Sequence, residues 1–383
     1  MISDACRVLI AGGGTAGHVI PAVAIAEALY SKDFLKEKNE VHFVGSKRGA
    51  GREIVNEAGY DMTVLPGRGI QRKVTFRNVI STLSLLVAFF QASCMIIKAK
   101  PEIIVVMGGY ASLACGLAGK FFNVPIIVAE QNAVPGATNK IIGRFAKISA
   151  VSFRDVDLPN SVLTGNPLRS EILRFIETDS RNDARRELGV RDRKMITVFG
   201  GSLGASHLNK TIFELSQYWE GRAISIYHIV GSRDWYEFSQ LERKSIGDVE
   251  YEMIEYLKDL TPLIGASDLV VSRAGATSIS EITSLGIPSI LVPLPNSPGN
   301  HQEENARFFE KNGSAVVIPD SELNYLSLSN RVSDLLDGDL ILQEMAEKTK
   351  DVRYLNAGDD IAQLIFEIID GGSHGIRKVR SFC

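Results

Sequence analysis

The sequence predicts an α/β protein made of two doubly wound, Rossmann-like domains. Apolar runs of strand length alternate with longer helical patterns along most of the 383 residues. Continuous Val/Ile runs separated by helices are typical of parallel strands that are buried on both faces. The order of strand, glycine turn and helix also occurs twice, first at residues 7–29 and again from residue 195. We therefore expect two similar domains facing each other across a cleft.

Composition and charge predict a cytosolic globular protein. Hydrophobic residues make up 45% and charged residues 23%, and the net charge of -3 argues against general nucleic-acid binding. The cysteines are scattered without metal-ligand spacing, which favours reduced thiols. They are Cys6, Cys94, Cys115 and Cys383. A strand begins within about ten residues, with no basic leader and apolar core before it, so we expect the chain to stay on the cytosolic side.

Apolar runs and turn residues predict the elements and the domain boundaries. The predicted strands are Val8–Ala11, Val41–Val44, Ile103–Met107, Ile126–Ala129, Ile148–Val151, Met195–Phe199, Ile224–Val230, Leu269–Ser272 and Ser289–Val292. Predicted helices include Pro21–Leu29, with Pro21 just inside its start, Asp183–Leu188, Glu303–Glu310, Gln343–Lys350 and Ile361–Ile369. Turn chemistry at Leu163–Leu168 predicts a linker. We expect an N-terminal domain at 1–166, a C-terminal domain at 167–347, a helical region at about 348–370 returning to the first domain, and a frayed tail at 371–383.

The uncharged stretch from Asn78 to Ile97 has several interpretations. About 20 residues match the thickness of a bilayer, but serines, a threonine and a glutamine dilute the apolar run. The first interpretation is a transmembrane helix, and the second is a helix packed in the core. The third interpretation is docking on an anionic membrane surface, because basic and apolar residues are mixed just before the stretch. The basic residues are Arg68, Arg72, Lys73 and Arg77. A solvated loop before a core helix explains the same pattern.

The first glycine turn predicts a ligand-binding site, with His18 at its opening. Such a turn directs backbone N–H groups and the positive end of a helix dipole at one spot, which suits phosphate. Gly12, Gly14 and Gly17 also satisfy the G-x-G-x-x-G dinucleotide pattern. The second predicted strand, however, is not followed by an acidic residue. An NADPH-dependent oxidoreductase that uses Arg48 for the 2′-phosphate stays an alternative, as do glycines with a purely structural role.

Further loops follow predicted strands, at the edge where doubly wound sheets bind ligands. Gly108–Tyr110 allow a close backbone approach, and Glu130–Asn132 with Asn139 offer carboxylate and amide groups. In the second half, Gly275 turns the chain into a helix whose first amides can hold a diphosphate. Glu281 then falls where it can accept hydrogen bonds from a sugar or ribose. A capped helix with a solvated glutamate is the alternative interpretation of that run.

Together these motifs resemble the MurG family of bacterial, lipid II-forming N-acetylglucosaminyltransferases. The matching segments, in family order between about residues 7 and 365, are Gly13–His18, Met107–Tyr110, Glu130–Asn132, Gly165–Arg169, Gly200–Ala205, Arg273–Glu281, His301–Gln302 and Asn305–Ala306. The resemblance implies the GT-B fold and transfer of N-acetylglucosamine (GlcNAc) from UDP-GlcNAc to the C4 hydroxyl of undecaprenyl-diphosphate N-acetylmuramoyl-pentapeptide, with inversion. It also implies a peripheral protein at the cytoplasmic face of the inner membrane, acting in cell-wall synthesis, cell shape and division, with other cell-wall enzymes as candidate partners.

By match of motif, the resemblance also implies the site residues. Donor contacts fall on Thr15, Ala16, Gly17, Asn132, Arg169, Ser202, Leu257, Ala276, Thr277, Ser278, Ile279, Ser280, Glu281, His301 and Gln302. Acceptor contacts fall on Gly14, Gly108, Gly109, Tyr110, Glu130 and Asn139. His18 can serve as the base, since imidazole titrates near neutral pH, or it can merely orient the substrate. Helix amides after Gly275, with Arg169, can stabilise the leaving UDP. No DxD-like pair ends a strand, so we expect no cofactor and no obligatory metal.

Some residues depart from the family pattern without removing a group that the chemistry requires. Ala16 replaces a glycine, Leu203 a glutamine and Asn300 an aspartate. The basic tail at residues 377–380 has no family role that we can assign. A non-catalytic UDP-sugar-binding protein, and another UDP-sugar enzyme on this fold such as an epimerase or a lipid galactosyltransferase, stay as alternatives.

Overall fold

The computed structural model describes residues 2–3, 5–46, 51–67, 76–190, 192–201, 204–242 and 248–371, without the side chains of 76–80 and 339. The chain divides into two compact units. Unit 1 comprises Met1–Arg169 and Leu355–Cys383, and unit 2 comprises Ser170–Tyr354. The boundaries expected from the sequence, after residue 166 and near residue 348, differ from these divisions by three and seven residues.

The strands and helices alternate along both units. The strands are β1 (Val8–Ala11), β2 (Val41–Ser46), β3 (Asp61–Leu65), β4 (Ile103–Val106), β5 (Ile126–Glu130), β6 (Ile148–Val151), β7 (Ser161–Leu163), β8 (Lys194–Phe199), β9 (Ile224–Ile229), β10 (Val249–Ile254), β11 (Leu269–Ser272), β12 (Ser289–Leu291) and β13 (Ala315–Val317). The helices are α1 (Ala16–Ser31), α2 (Gly51–Glu57), α3 (Phe76–Ala99), α4 (Tyr110–Phe121), α5 (Ala137–Gly143), α6 (Ser170–Glu177), α7 (Arg181–Glu187), α8 (Ser206–Tyr218), α9 (Trp235–Phe238), α10 (Thr261–Ala266), α11 (Ala276–Ser284), α12 (His301–Asn312), α13 (Tyr325–Asp337), α14 (Asp339–Thr349) and α15 (Ala357–Asp370).

Each unit is built on a parallel, doubly wound sheet, which confirms the predicted fold class. The strand order is β3-β2-β1-β4-β5-β6-β7 in unit 1 and β10-β9-β8-β11-β12-β13 in unit 2. The order reverses between β1 and β4 in unit 1 and between β8 and β11 in unit 2. Ligands of such sheets bind at these reversals, beyond the carboxyl ends of the strands. Both glycine turns that the sequence indicated therefore lie at the expected ligand-binding edge.

The predicted strands are the inner strands of the two sheets. Their ends agree with the structure to within two residues, because long apolar runs are buried on both faces. The strands that the sequence analysis missed are the outermost ones, β3, β7, β10 and β13. These are short or expose alternate residues, as in β10, so their sequences lack a continuous apolar run.

The first helix begins earlier than predicted. It starts at Ala16, so Pro21 lies inside the helix rather than at its start, and that prediction was wrong. The ring of Pro21 is buried in the core of unit 1. Because the helix starts at Ala16, His18 belongs to its first turn. His18 therefore has a fixed backbone direction instead of the freedom of a loop.

Helix α15 completes the core of unit 1 from the far end of the chain. Ile361, Ala362 and Ile365 are buried in the same cluster as α1. Phe366 stacks on Phe34 with ring centroids 4.4 Å apart. The backbone at Gly358 also approaches α1 closely, since a Cβ placed there would lie 3.5 Å from the carbonyl oxygen of Ala24.

Helix α3 leaves much of its apolar surface exposed. By length and composition, its stretch Ser81–Ala99 is apolar enough to cross a membrane, and only 33% of it is buried. Phe90 is 65% exposed, and Phe121 of the neighbouring helix α4 is 70% exposed. Phe121 packs edge-on against Phe89, with centroids 6.3 Å apart, so the two helices share one surface. We define the α3/α4 apolar face by its exposed residues Leu83, Leu86, Val87, Phe90, Ile97 and Phe121.

Candidate active site

In unit 1, two glycine loops meet beside His18 because β1 and β4 are neighbours in the sheet. The loops follow Ala11 and Val106 respectively. Gly108 and Gly109 have φ values of +110° and +86°, which favour glycine. A Cβ on Gly109 would lie 2.8 Å from the Cα of Gly13, so the two backbones touch. Side chains at either position would force the loops apart.

The His18 ring lies between these loops. Its Nδ1 is 2.9 Å from the Thr15 hydroxyl. A Cβ built on Gly13 would be 2.9 Å from Nδ1, and one built on Gly108 would be 3.0 Å from Nε2. If Nδ1 carries the proton and donates it to Thr15, Nε2 keeps its lone pair and can accept a proton. The geometry thus suits a general base, with Thr15 fixing the tautomer.

The loop after β5 is organised by one buried carboxylate. Glu130 is the last residue of that strand and is 3% exposed. The backbone amide of Asn132 and the side-chain amide of Asn139 donate to it at 3.0 and 2.8 Å, and the amide of Gly136 donates at 2.9 Å. Glu130 therefore positions Asn132 and Asn139. Direct contact of Glu130 with an acceptor stays a prediction.

Three buried polar atoms in or near this loop have no hydrogen-bond partner among the described residues. They are the hydroxyl of Tyr110, Oε1 of Gln131 and Oδ1 of Asn139. Burial raises the pKa of Tyr110, so the phenol stays protonated at neutral pH. Its ring lies against Gly67, where a Cβ would come within 2.0 Å of it. Since unpaired buried polar atoms are uncommon, all three atoms are suited to pair with a bound polar ligand.

In unit 2, the loops after β11 and β12 are tied together at the start of α11. Arg273, which is 8% exposed, donates to the carbonyl oxygens of Val292 and Pro293, each at 3.2 Å. The Asn305 side chain of α12 donates to the carbonyl of Ala274 at 3.2 Å. Gly275 then caps α11, whose first amides lack carbonyl partners within the helix. The turn is therefore held rigidly, with its amides directed at the ligand-binding edge.

An ion cluster that the sequence analysis missed supports Arg273. One carboxylate oxygen of Asp320 lies 2.6 Å from the guanidinium of Arg273, and the other lies 3.1 Å from Nδ1 of His207. Burial raises the pKa of Asp320, but hydrogen bonds from Arg273 and His207 outweigh burial and hold it below its ordinary value. Asp320 follows a short strand and has no sequence motif of its own, so only the folded chain reveals its role.

The remaining predicted donor residues of unit 2 lie along the same edge of its sheet. Residues 276–281 form the first turns of α11, where Glu281 is 5% exposed. His301 and Gln302 precede the predicted helix Glu303–Glu310, but in the structure they begin α12. Nδ1 of His301 donates to the carbonyl of Pro298 at 2.6 Å, and Gln302 accepts from the amide of Leu294 at 2.9 Å. Leu257 lies in the loop after β10.

Some predicted residues lie elsewhere. Thr15, Ala16, Gly17, Asn132 and Arg169 belong to unit 1, unlike the other donor residues. Ser202 and Leu203 lie outside the described residues, as do Arg48, the basic residues Arg68, Arg72 and Lys73, and the tail from residue 372. Their predicted roles stay predictions.

Comparison with known proteins gives the class of this protein. Residues 8–151 match the glycosyltransferase family 28 N-terminal domain, and residues 195–364 match the glycosyltransferase family 28 C-terminal domain. A crystal structure of MurG from Acinetobacter baumannii superposes with a TM-score of 0.73 at 25% identity, covering 94% of this chain and 98% of that one. A UDP complex of Staphylococcus aureus MnaA shares the fold at 16% identity, with a TM-score of 0.67 and coverage of 95% and 97%. The fold and the two family domains define a GT-B glycosyltransferase.

Full-length relatives give the particular family. The UDP-N-acetylglucosamine–N-acetylmuramyl-(pentapeptide) pyrophosphoryl-undecaprenol N-acetylglucosamine transferase of Ruminiclostridium cellulolyticum is 35% identical over 378 residues, which is 95% of this chain and all of the relative. The transferase of the same name from Caldicellulosiruptor saccharolyticus is 35% identical over 379 residues, with coverage of 96% and 100%. The chain belongs to this family, the MurG transferases.

Proposed function

We propose that this chain transfers GlcNAc from UDP-GlcNAc to the C4 hydroxyl of the N-acetylmuramoyl sugar of undecaprenyl-diphosphate N-acetylmuramoyl-pentapeptide, completing the peptidoglycan disaccharide. The names of relatives 35% identical over nearly the whole chain support this substrate pair. The observation that carries the chemistry is His18, oriented by Thr15 between two glycine loops. Neither an NADPH-dependent oxidoreductase nor a non-catalytic binding protein is supported by these relatives.

The test is a transfer assay with labelled UDP-GlcNAc and a short-chain lipid I analogue. We expect a labelled disaccharide product with UDP-GlcNAc and little with UDP-galactose. Release of UDP without an acceptor, or equal use of the two donors, would contradict the proposed reaction.

The proposed mechanism is a single inverting displacement. The acceptor C4 oxygen attacks the anomeric carbon of GlcNAc while the bond from that carbon to UDP breaks. Nε2 of His18 accepts the C4 hydroxyl proton as the new glycosidic bond forms. The leaving diphosphate gains negative charge, which the first amides and the dipole of α11 stabilise. Glu281 accepts hydrogen bonds from the ribose hydroxyls.

The α11 amides support a mechanism without a metal ion, since preorganised N–H groups can stabilise the leaving diphosphate. We expect the turnover rate to change less than about twofold when EDTA is added to metal-free buffer. The assay is the same transfer reaction, with added magnesium as the reference. A loss of turnover that magnesium restores would show that the enzyme needs a cation.

A further part of the proposal is peripheral docking on an anionic membrane through the α3/α4 apolar face. The acceptor carries a long lipid chain, so the enzyme must reach the membrane surface. Phe90 and Phe121 offer exposed apolar area on adjacent helices, as docking faces do. The basic residues just before α3 would add attraction to anionic headgroups.

Docking predicts that charge on this face weakens membrane binding. Replacing both Leu86 and Phe90 with glutamate should reduce co-flotation with vesicles containing anionic lipid by about tenfold or more. Two exposed apolar side chains that would contact the lipid are lost, and two carboxylates are added. Activity toward a water-soluble acceptor analogue should be retained. Leu340→Glu, at a 73% exposed leucine of unit 2, is the matched control. Equal flotation of the two variants would exclude this face.

A further inference from the structure

We infer that Ser112 is a positioning residue for His18, an inference that rests on the proposed role of His18 as the base. Ser112 lies in the first turn of α4 and is fully buried. No sequence motif singled it out, since a serine in the first helical turn is common. Its contacts join the two glycine loops on either side of the His18 ring.

The Ser112 hydroxyl bridges the ends of two strands. Its Oγ lies 2.5 Å from the carbonyl oxygen of Ala11, at the end of β1, and 2.7 Å from that of Gly108, just beyond β4. The last ladder bond between these strands runs from the amide of Met107 to Ala11 at 2.8 Å. Beyond that bond, the single hydroxyl hydrogen of Ser112 is shared between the two carbonyl oxygens.

A purely local role would explain only half of this arrangement. Serine often donates to the carbonyl four residues earlier in a helix, which here is Gly108. The bond to Ala11 spans 101 residues of sequence and has no such local explanation. It fixes the strand end from which the first glycine loop and His18 extend.

The separation of the loops sets the position of the ring. Gly13 and Gly108 both lie against the imidazole, one beside Nδ1 and the other beside Nε2. The loops touch each other at Gly13 and Gly109 as well. A shift of a few tenths of an ångström at Ala11 or Gly108 must therefore move the ring or open the gap that holds it.

A second hydroxyl braces the same loop from α5. Thr138 Oγ1 donates to the carbonyl of Gly109 at 3.1 Å. Thr138 is half-buried, whereas Ser112 is inaccessible to solvent. We therefore expect the loss of Thr138 to have the same kind of effect as the loss of Ser112, but a smaller one.

The experiment compares Ser112→Ala with Ser149→Ala. Ser149, in strand β6, is also a fully buried serine of unit 1. Its hydroxyl donates to the carbonyl of Pro159 at 2.8 Å. Both changes remove one buried hydroxyl, so both should lower the unfolding temperature. Ser112→Ala should also lower kcat by about 10- to 100-fold, since small displacements of a catalytic group are costly. Ser149→Ala should leave kcat within about twofold.

A spectroscopic readout separates positioning from general destabilisation. In protein labelled at the histidine ring carbons, the Cε1 resonance of His18, assigned by its loss in His18→Ala, should shift in Ser112→Ala and stay in place in Ser149→Ala. An unchanged resonance, or equal loss of kcat in both serine variants, would overturn the inference. If Ser112→Ala does not fold, Thr138→Val is measured against the same control and should shift the resonance and lower kcat by several-fold.

The outcome is distinguishable from a failure of the proposed function. The shift of the His18 resonance reports position whether or not His18 is the base. If His18→Ala retains full turnover while Ser112→Ala moves the resonance, the base role fails and the positioning stands. If His18→Ala abolishes turnover but the His18 resonance has the same position in Ser112→Ala as in the native protein, the base role stands and the inference fails.

Discussion

His18→Ala should lower kcat by about 100- to 10,000-fold, the usual contribution of a general base. The affinity for UDP should change less than about threefold, because α11 in unit 2 provides the proposed diphosphate site. The ring accepts a proton in the transition state and adds little to ground-state binding, so the loss falls on turnover. Steady-state kinetics with a soluble acceptor analogue measure kcat, and calorimetry measures UDP affinity.

The parameter that changes decides between two roles of His18. A loss confined to UDP affinity would show that His18 holds the donor instead.

Glu281→Ala should raise the KM for UDP-GlcNAc by about 10- to 100-fold, which corresponds to losing one or two hydrogen bonds to a charged group. Glu281 is 5% exposed and lies on the first turns of α11, so its side chain is held in place before the donor arrives. The KM for the acceptor should change little, because the proposed acceptor residues lie in unit 1.

The control for this variant is Glu304→Ala on the neighbouring helix α12. Glu304 is an exposed glutamate, so its loss tests the change of charge without removing a buried partner. Its donor KM should stay within about twofold of the native value. If Glu281→Ala instead lowers kcat alone, Glu281 acts in the transition state rather than in holding the ribose.

The sequence predicts the inner strands well and the outer strands poorly, for a physical reason. Val8–Ala11 and Ile103–Val106 are buried on both faces, so every residue is apolar and the run is visible. In Asp61–Leu65 the first residue is exposed and the next three are half-buried. The conformation of this strand depends on its partner strand and on the adjacent helices, so it cannot be predicted from the local sequence.

The same limit applies to the site. Glycine turns and polar residues after strands predict which edge of each sheet binds ligand, and the structure brings His18, Gly108 and Asn139 together there. The supporting contacts of Ser112 and Asp320 join residues about a hundred positions apart, or close to fifty in the case of Arg273 and Asp320, so no local pattern predicts them. The exact starts of α1 and α12 were also missed. Thr15 and Asn300 precede these helices, but neither side chain makes a capping hydrogen bond.

The origin of α15 bears on how the protein is made. The face of α1 that Ile361 and Ile365 cover is synthesised more than three hundred residues before those two side chains emerge from the ribosome. This face of α1 therefore stays uncovered by α15 while the whole of the second unit is synthesised. A nascent chain that stalls between Tyr354 and Ile361 would therefore present that surface to chaperones and proteases, even though its second unit has already been synthesised.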